Sequence, residues 1–106
     1  MQLTHQQQFS ENTPFFHGHF DKQPIVPGVV WLQAVEQLVT AQFADWVLIK
    51  VIQAKFLKPV TPALKVSIAV DCDAARYQVS FRLIDPQDQM VASGKLQFKS
   101  GETDAR

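Results

Sequence analysis

The sequence lacks most of the features that mark specialised protein classes. Cys72 is its one cysteine, so no disulfide can close within the chain, and a reducing compartment is expected. Neither sign of charge is in surplus, since ten basic and ten acidic side chains give a formal net charge of zero. Phosphate-binding surfaces usually carry a basic excess, so nucleic acid is not expected as the main partner. No stretch approaches the roughly 20 apolar residues that a membrane-spanning helix needs. Met1 to Ser10 is polar and glutamine-rich, unlike the apolar centre of a secretory leader. The three histidines, His5, His17 and His19, have no cysteine or carboxylate cluster around them, and no metal or cofactor is expected. Repeats and linkers are absent too. These absences lead to the expectation of a soluble cytoplasmic protein.

What is present is a chain of 106 residues, 46% of them hydrophobic, which is enough for one core. A domain this small buries a modest share of its surface, so pairing with a second copy would help it. One domain is expected over residues 1–100, with 101–106 as a polar disordered tail. Leu3 to Phe9 has a weak strand pattern, and Glu11 to Pro27 reads as a loop rich in Pro, Gly and aromatics. Val29 to Phe43 carries a helical stripe of Val29, Leu32, Val35, Leu38, Val39 and Phe43, broadened by Val30, Trp31, Ala34 and Ala41. A helix apolar on several sides is expected to be mostly buried.

Strand patterns follow. Trp46 to Leu57 is long and β-branched. Leu64 to Val70, Tyr77 to Leu83 and Met90 to Phe98 alternate apolar and polar residues, as in a sheet with one wet face. Polar or proline-containing turns separate them at Lys58 to Ala63, Asp71 to Arg76 and Asp85 to Gln89. One buried helix with four or five antiparallel strands predicts an α+β fold, the sheet curled around the helix.

Phe15 to Gln37 carries the chemistry. His19 sits in a constrained aromatic loop, and Pro27-Gly28 opens the helix. The first N–H groups of a helix have no partner within it and carry partial positive charge. They can polarise a carbonyl as an oxyanion hole does, and glycine lets a ligand come close to the backbone. A neutral histidine nearby is a suitable base for a proton next to that carbonyl.

Gly18-His19-Phe20 followed by Pro24-Ile25-Val26-Pro27-Gly28-Val29 resembles the signature of the bacterial 3-hydroxyacyl-acyl-carrier-protein dehydratases. The resemblance runs from about Phe9 to Lys99. The short length is most similar to that of the small dehydratase-like domains of aryl-polyene pathways. It implies a hotdog fold, a long central helix wrapped by a curved antiparallel sheet of five or so strands. It implies removal of water from a 3-hydroxyacyl thioester, on acyl carrier protein or coenzyme A, without metal or cofactor. It places His19 as the base at C2, Gly28 as the N–H donor to the thioester carbonyl, and Phe20 and Val29 as substrate contacts. A site formed between two subunits, in a homodimer or higher oligomer, is also implied.

Two positions depart from the family pattern. Gln33 stands where the family has a helix carboxylate that helps the hydroxyl leave, and an amide delivers no proton at neutral pH. Glu36, about 60° further round the helix, is the alternative acid. Asp21 stands where a proline is usual. Gln33 leaves open a second reading, a non-catalytic or partner-dependent subunit that binds acyl thioesters. A hotdog thioesterase is a third, which the His19 and Gly28 pairing disfavours. His17 reads as structural or surface, Trp31, Phe43 and Trp46 as core or dimer packing, and Cys72 as no nucleophile.

Overall fold

Alternation sets the dry face of the three middle strands. A computed structural model describes residues 1–8, 28–58 and 64–101. The elements are β1 (Gln2–Gln7), α1 (Gly28–Gln42), β2 (Trp46–Phe56), β3 (Val66–Asp73), β4 (Gln78–Ile84) and β5 (Met90–Ser100). The strands form one antiparallel sheet in the order β1-β3-β4-β5-β2. Val66, Ile68, Val70 and Cys72 of β3, Val79, Phe81 and Leu83 of β4, and Ala92, Leu96 and Phe98 of β5 are buried. The register stacks them in rows, with Val70 opposite Phe81 and Val79 opposite Leu96. Ser80, Arg82 and Lys95, between them in sequence, are exposed.

Helix α1 lies on the dry face and touches β1 and β3 at one side of the sheet and β2 at the other. Four strand spacings of about 4.8 Å would put β1 and β2 roughly 19 Å apart in a flat sheet. A helix with its side chains is only about 10–12 Å across, so contact with both edges requires the sheet to curl around it. This is the expected hotdog arrangement, α+β with five strands.

The helix is less buried than its composition predicts. Trp31, Val35 and Val39 are its buried residues, spaced i, i+4, i+8, while Val29 is 60% exposed. The sheet of one chain covers only one side of the helix, so the rest of the apolar surface stays half-buried or open. At the far end, Phe43 stacks on Trp46 with centroids 4.2 Å apart, and Trp46 also meets Tyr77 and Phe98. These aromatics are core packing, as expected of Phe43 and Trp46.

Strand β2 departs from the one-face-wet pattern. Among the described residues it pairs only with β5, and its register shifts between Leu48 and Lys50 and again between Val51 and Gln53. Val47, Ile49, Val51, Ile52 and Phe56 remain exposed on this 11-residue edge. An edge strand has one unpaired row of backbone groups, and nothing in the described residues covers its apolar side chains. Gly101, where the tail was expected to begin, donates its N–H to the carbonyl of Asp45; residues 102–106 lie outside the described residues.

Asp85 clamps the β4–β5 turn. Its Oδ1 accepts the N–H groups of Gln87 and Gln89, both at 2.9 Å, and Lys58 Nζ lies 2.9 Å from its Oδ2. Lys58 also donates to Gln89 Oε1 at 2.7 Å, tying the end of β2 to the turn. The hydrogen bond from Lys58, then that from the Gln89 N–H, holds the Asp85 carboxyl below the usual carboxylate range, against the opposing effect of burial. A depressed carboxyl contributes stability above its unfolded pKa of about 3.9 and loses it as pH falls through the lower folded value. The stability gap between the natural chain and an Asp85→Asn variant is therefore expected to be constant above about pH 4 and to shrink on further acidification. Urea titrations across that range check this, and a gap that widens towards low pH contradicts it.

Candidate active site

The start of α1 is built against the end of β2. A Cβ added at Gly28 would lie 2.9 Å from Phe56 Cζ, 3.0 Å from its Cε2 and 3.3 Å from its Cε1. The tip of the Phe56 ring thus rests on the Gly28 backbone, and a Cβ there would force the ring to shift. At about 100° per residue, Gly28 lies roughly 20° from the centre of the Trp31–Val35–Val39 stripe, Glu36 roughly 100° and Gln33 roughly 160°. Gly28 therefore faces inward, Glu36 lies on the flank and Gln33 points away from its own sheet. Burial agrees: Gln33 is exposed and Glu36 half-buried. Val29 projects outward beside the helix start.

His19 and Phe20 lie outside the described residues, so of the predicted site only Gly28, Val29, Gln33 and Glu36 have a described position. Chemically, the start of α1 offers backbone N–H donors that have no partner within the helix, beside an apolar ring, a setting in which a carbonyl oxygen can be polarised. No acidic side chain lies in the first turn to compete for those donors. Gln33, facing away from the sheet, can meet a reacting group only outside its own helix–sheet layer.

The other candidate groups do not join this region. Cys72 is buried in β3 instead of lying at a polar turn, and burial pushes its thiol up, with Asp71 adding to the rise and the N-terminal ammonium opposing it. A thiol kept protonated is a poor nucleophile, as expected. His5 is on β1 opposite Ile68. Among the described residues, no group of three or more His, Cys, Asp or Glu is placed to hold a metal ion. No described helix is long and apolar enough to cross a membrane. A surface depression lined by Gln2, Thr4, Asp71, Ser80 and Arg82 contains none of the predicted site residues. Phe56 carried no local signal in the sequence, where it reads as one more strand residue.

The profile of the family described as "ApeI-like: ApeI dehydratase" matches residues 1–95. The chain belongs to the ApeI-like dehydratase family. This ApeI-like chain is 34% identical over 83 residues to the 3-hydroxyacyl-[acyl-carrier-protein] dehydratase FabZ of Burkholderia cenocepacia, covering 77% of itself and 44% of that protein. It is 32% identical over 106 residues to the FabZ of Bordetella parapertussis, covering 82% of itself and 68% of the relative. It spans less than half the length of the Burkholderia relatives. Among solved structures, it resembles the dehydratase heterocomplex ApeI:P from Xenorhabdus doucetiae, with a TM-score of 0.84, 24% identity, and coverage of 92% of this chain and 86% of that one. An uncharacterised protein from Erwinia carotovora gives a TM-score of 0.86 at 23% identity, with coverage of 93% and 83%. At these identities the structural likenesses show the shared fold.

Proposed function

We propose that this chain removes water from a 3-hydroxyacyl thioester, carried by acyl carrier protein or coenzyme A, to give a trans-2-enoyl thioester. The carrying observation is the ordered run from Gly18-His19-Phe20 to Pro27-Gly28-Val29, with Gly28 opening α1 and no acidic side chain in the first turn. In this reading Phe20 and Val29 line the acyl thioester. His19 takes the C2 proton while the Gly28 N–H stabilises the oxyanion that develops on the thioester carbonyl. The C3–O bond then breaks, and the hydroxyl leaves with a proton as water. Gln33 can hold that hydroxyl by hydrogen bonds, and Glu36, on the flank of the helix, is the group there that can exchange a proton. The site is completed between two copies of the chain, in a homodimer or higher oligomer in the cytoplasm. Two features support pairing: Gln33 faces away from its own sheet, and β2 has an apolar edge that is unpaired among the described residues.

The test is hydration of enoyl thioesters and dehydration of 3-hydroxyacyl thioesters, measured beside sedimentation of the same protein. Turnover above a His19→Ala control, by a species larger than a monomer, is expected. A rate equal to that control overturns the reaction, and an active monomer overturns the shared site. Gln33 favours a second reading, a subunit that needs a partner carrying the acid. A Gln33→Glu change that raises the rate by 10²-fold or more would support that reading, since general acid help is worth about 10²–10⁴-fold. An unchanged rate points to Glu36.

A further inference from the structure

We infer that Phe56 is a positioning residue for this reaction, its ring seating the start of α1 and thereby aiming the Gly28 N–H. The inference rests on the dehydratase reading above. Three ring atoms of Phe56, Cε1, Cζ and Cε2, all face Gly28, and the nearest leaves no room for a Cβ. The backbone under the ring is held from two sides. Phe56 pairs with Ala92 across the β2–β5 ladder, and the next residue, Leu57, donates its N–H to Val91 O at 2.8 Å. Lys58 is then fixed by Asp85 and Gln89.

Yet Phe56 is 45% exposed as a residue, unlike Phe81 and Phe98, each 1% exposed in the core. A residue left nearly half wet adds less to the core than a fully buried phenylalanine. Within the chain its tip meets the helix start, while its wet side belongs to the apolar β2 edge. The other end of α1 is pinned by the Phe43–Trp46 stack and the buried Val39. With that end fixed, the ring under Gly28 sets the height of the first turn above β2. An oxyanion donor works only when placed within a narrow distance of the developing charge. A misplacement of about 1 Å can lower the rate on the order of 10²-fold.

The experiment is a four-member cycle of the full chain: natural protein, Phe56→Ala, Gly28→Ala and the double variant, with Phe56→Met as the conservative change. Phe56→Ala is expected to lower kcat on the order of 10–100-fold with KM nearly unchanged. Phe56→Met, whose flexible unbranched chain reaches about as far as Cζ without extending past it, keeps most of kcat. The two alanine changes undo one contact, so the double variant falls no further than the poorer single. A natural-level kcat in Phe56→Ala, a loss confined to KM, or additive losses would overturn the inference. Melting temperatures of the same four proteins separate misfolding from misplacement. If the natural chain turns over no 3-hydroxyacyl or enoyl thioester, the dehydratase reading fails. The melting cycle then decides the seat by itself: non-additive losses keep Phe56 as the seat of the helix start, and additive losses remove it.

Discussion

Gly94→Ala is expected to destabilise the protein by about 3 kcal/mol, the upper part of the range for overfilling a packed core. The added methyl group would meet the carbonyl oxygen of Gln53 and, at 2.6 Å each, Cε2 and Cζ of Phe81. Neither neighbour has room to retreat. The Gln53 carbonyl belongs to the backbone of β2 beside its second register shift, where Ala54 stands opposite Gly94. Phe81 is 1% exposed and enclosed by the core of β3, β4 and β5. Relief would require moving β2 away from β5, with loss of ladder hydrogen bonds. For a domain of this size the melting temperature should fall by roughly 10–20 °C. Gly101→Ala is the milder comparison, because its Cβ would stand 3.0 Å from the Asp45 oxygen and 3.1 Å from a Val47 methyl. Thermal melts followed by circular dichroism check both. Equal, small shifts would show that the Gln53–Gly94–Phe81 layer is looser than described.

His19→Ala is expected to lower kcat on thioester substrates by about 10²–10⁴-fold, the usual worth of a positioned base. The variant keeps Gly28 and the helix start, so substrate binding should persist and the loss should appear in kcat rather than KM. Added imidazole should restore part of the rate by supplying the missing base. His17→Ala, two residues earlier, serves as the control and should stay near the natural rate. A His19→Ala protein with the natural kcat would remove His19 from the chemistry altogether.

The sequence by itself determined the elements and the family. The Pro27-Gly28 pair marks the start of α1, and period-two alternation marks β3, β4 and β5 to within a few residues. Both are local signals, a backbone restriction and a repeat, and need no knowledge of distant neighbours. The motif from Gly18 to Val29 is likewise continuous along the chain, which is why the dehydratase family was legible there. Position within the fold was not legible. Helix periodicity names an apolar stripe, yet only the curled sheet selects Trp31, Val35 and Val39 as its centre and leaves Val29 outside.

Composition made β2 a strand, but the order β1-β3-β4-β5-β2 made it an edge, with its valines and isoleucines uncovered. Gly94 reads in sequence as a weak point in a strand, whereas the tertiary structure makes it the gap that admits Phe81. Gln33 and Glu36 could be named from spacing alone. Which one faces outward depended on how α1 is rotated over the sheet. The pairing of Gly28 with Phe56 joins residues far apart in the chain, and no local pattern encodes such a contact. The opening of the proposed site was written in the motif, and the seat of its helix was decided by packing, because only the folded chain brings the end of β2 under the start of α1.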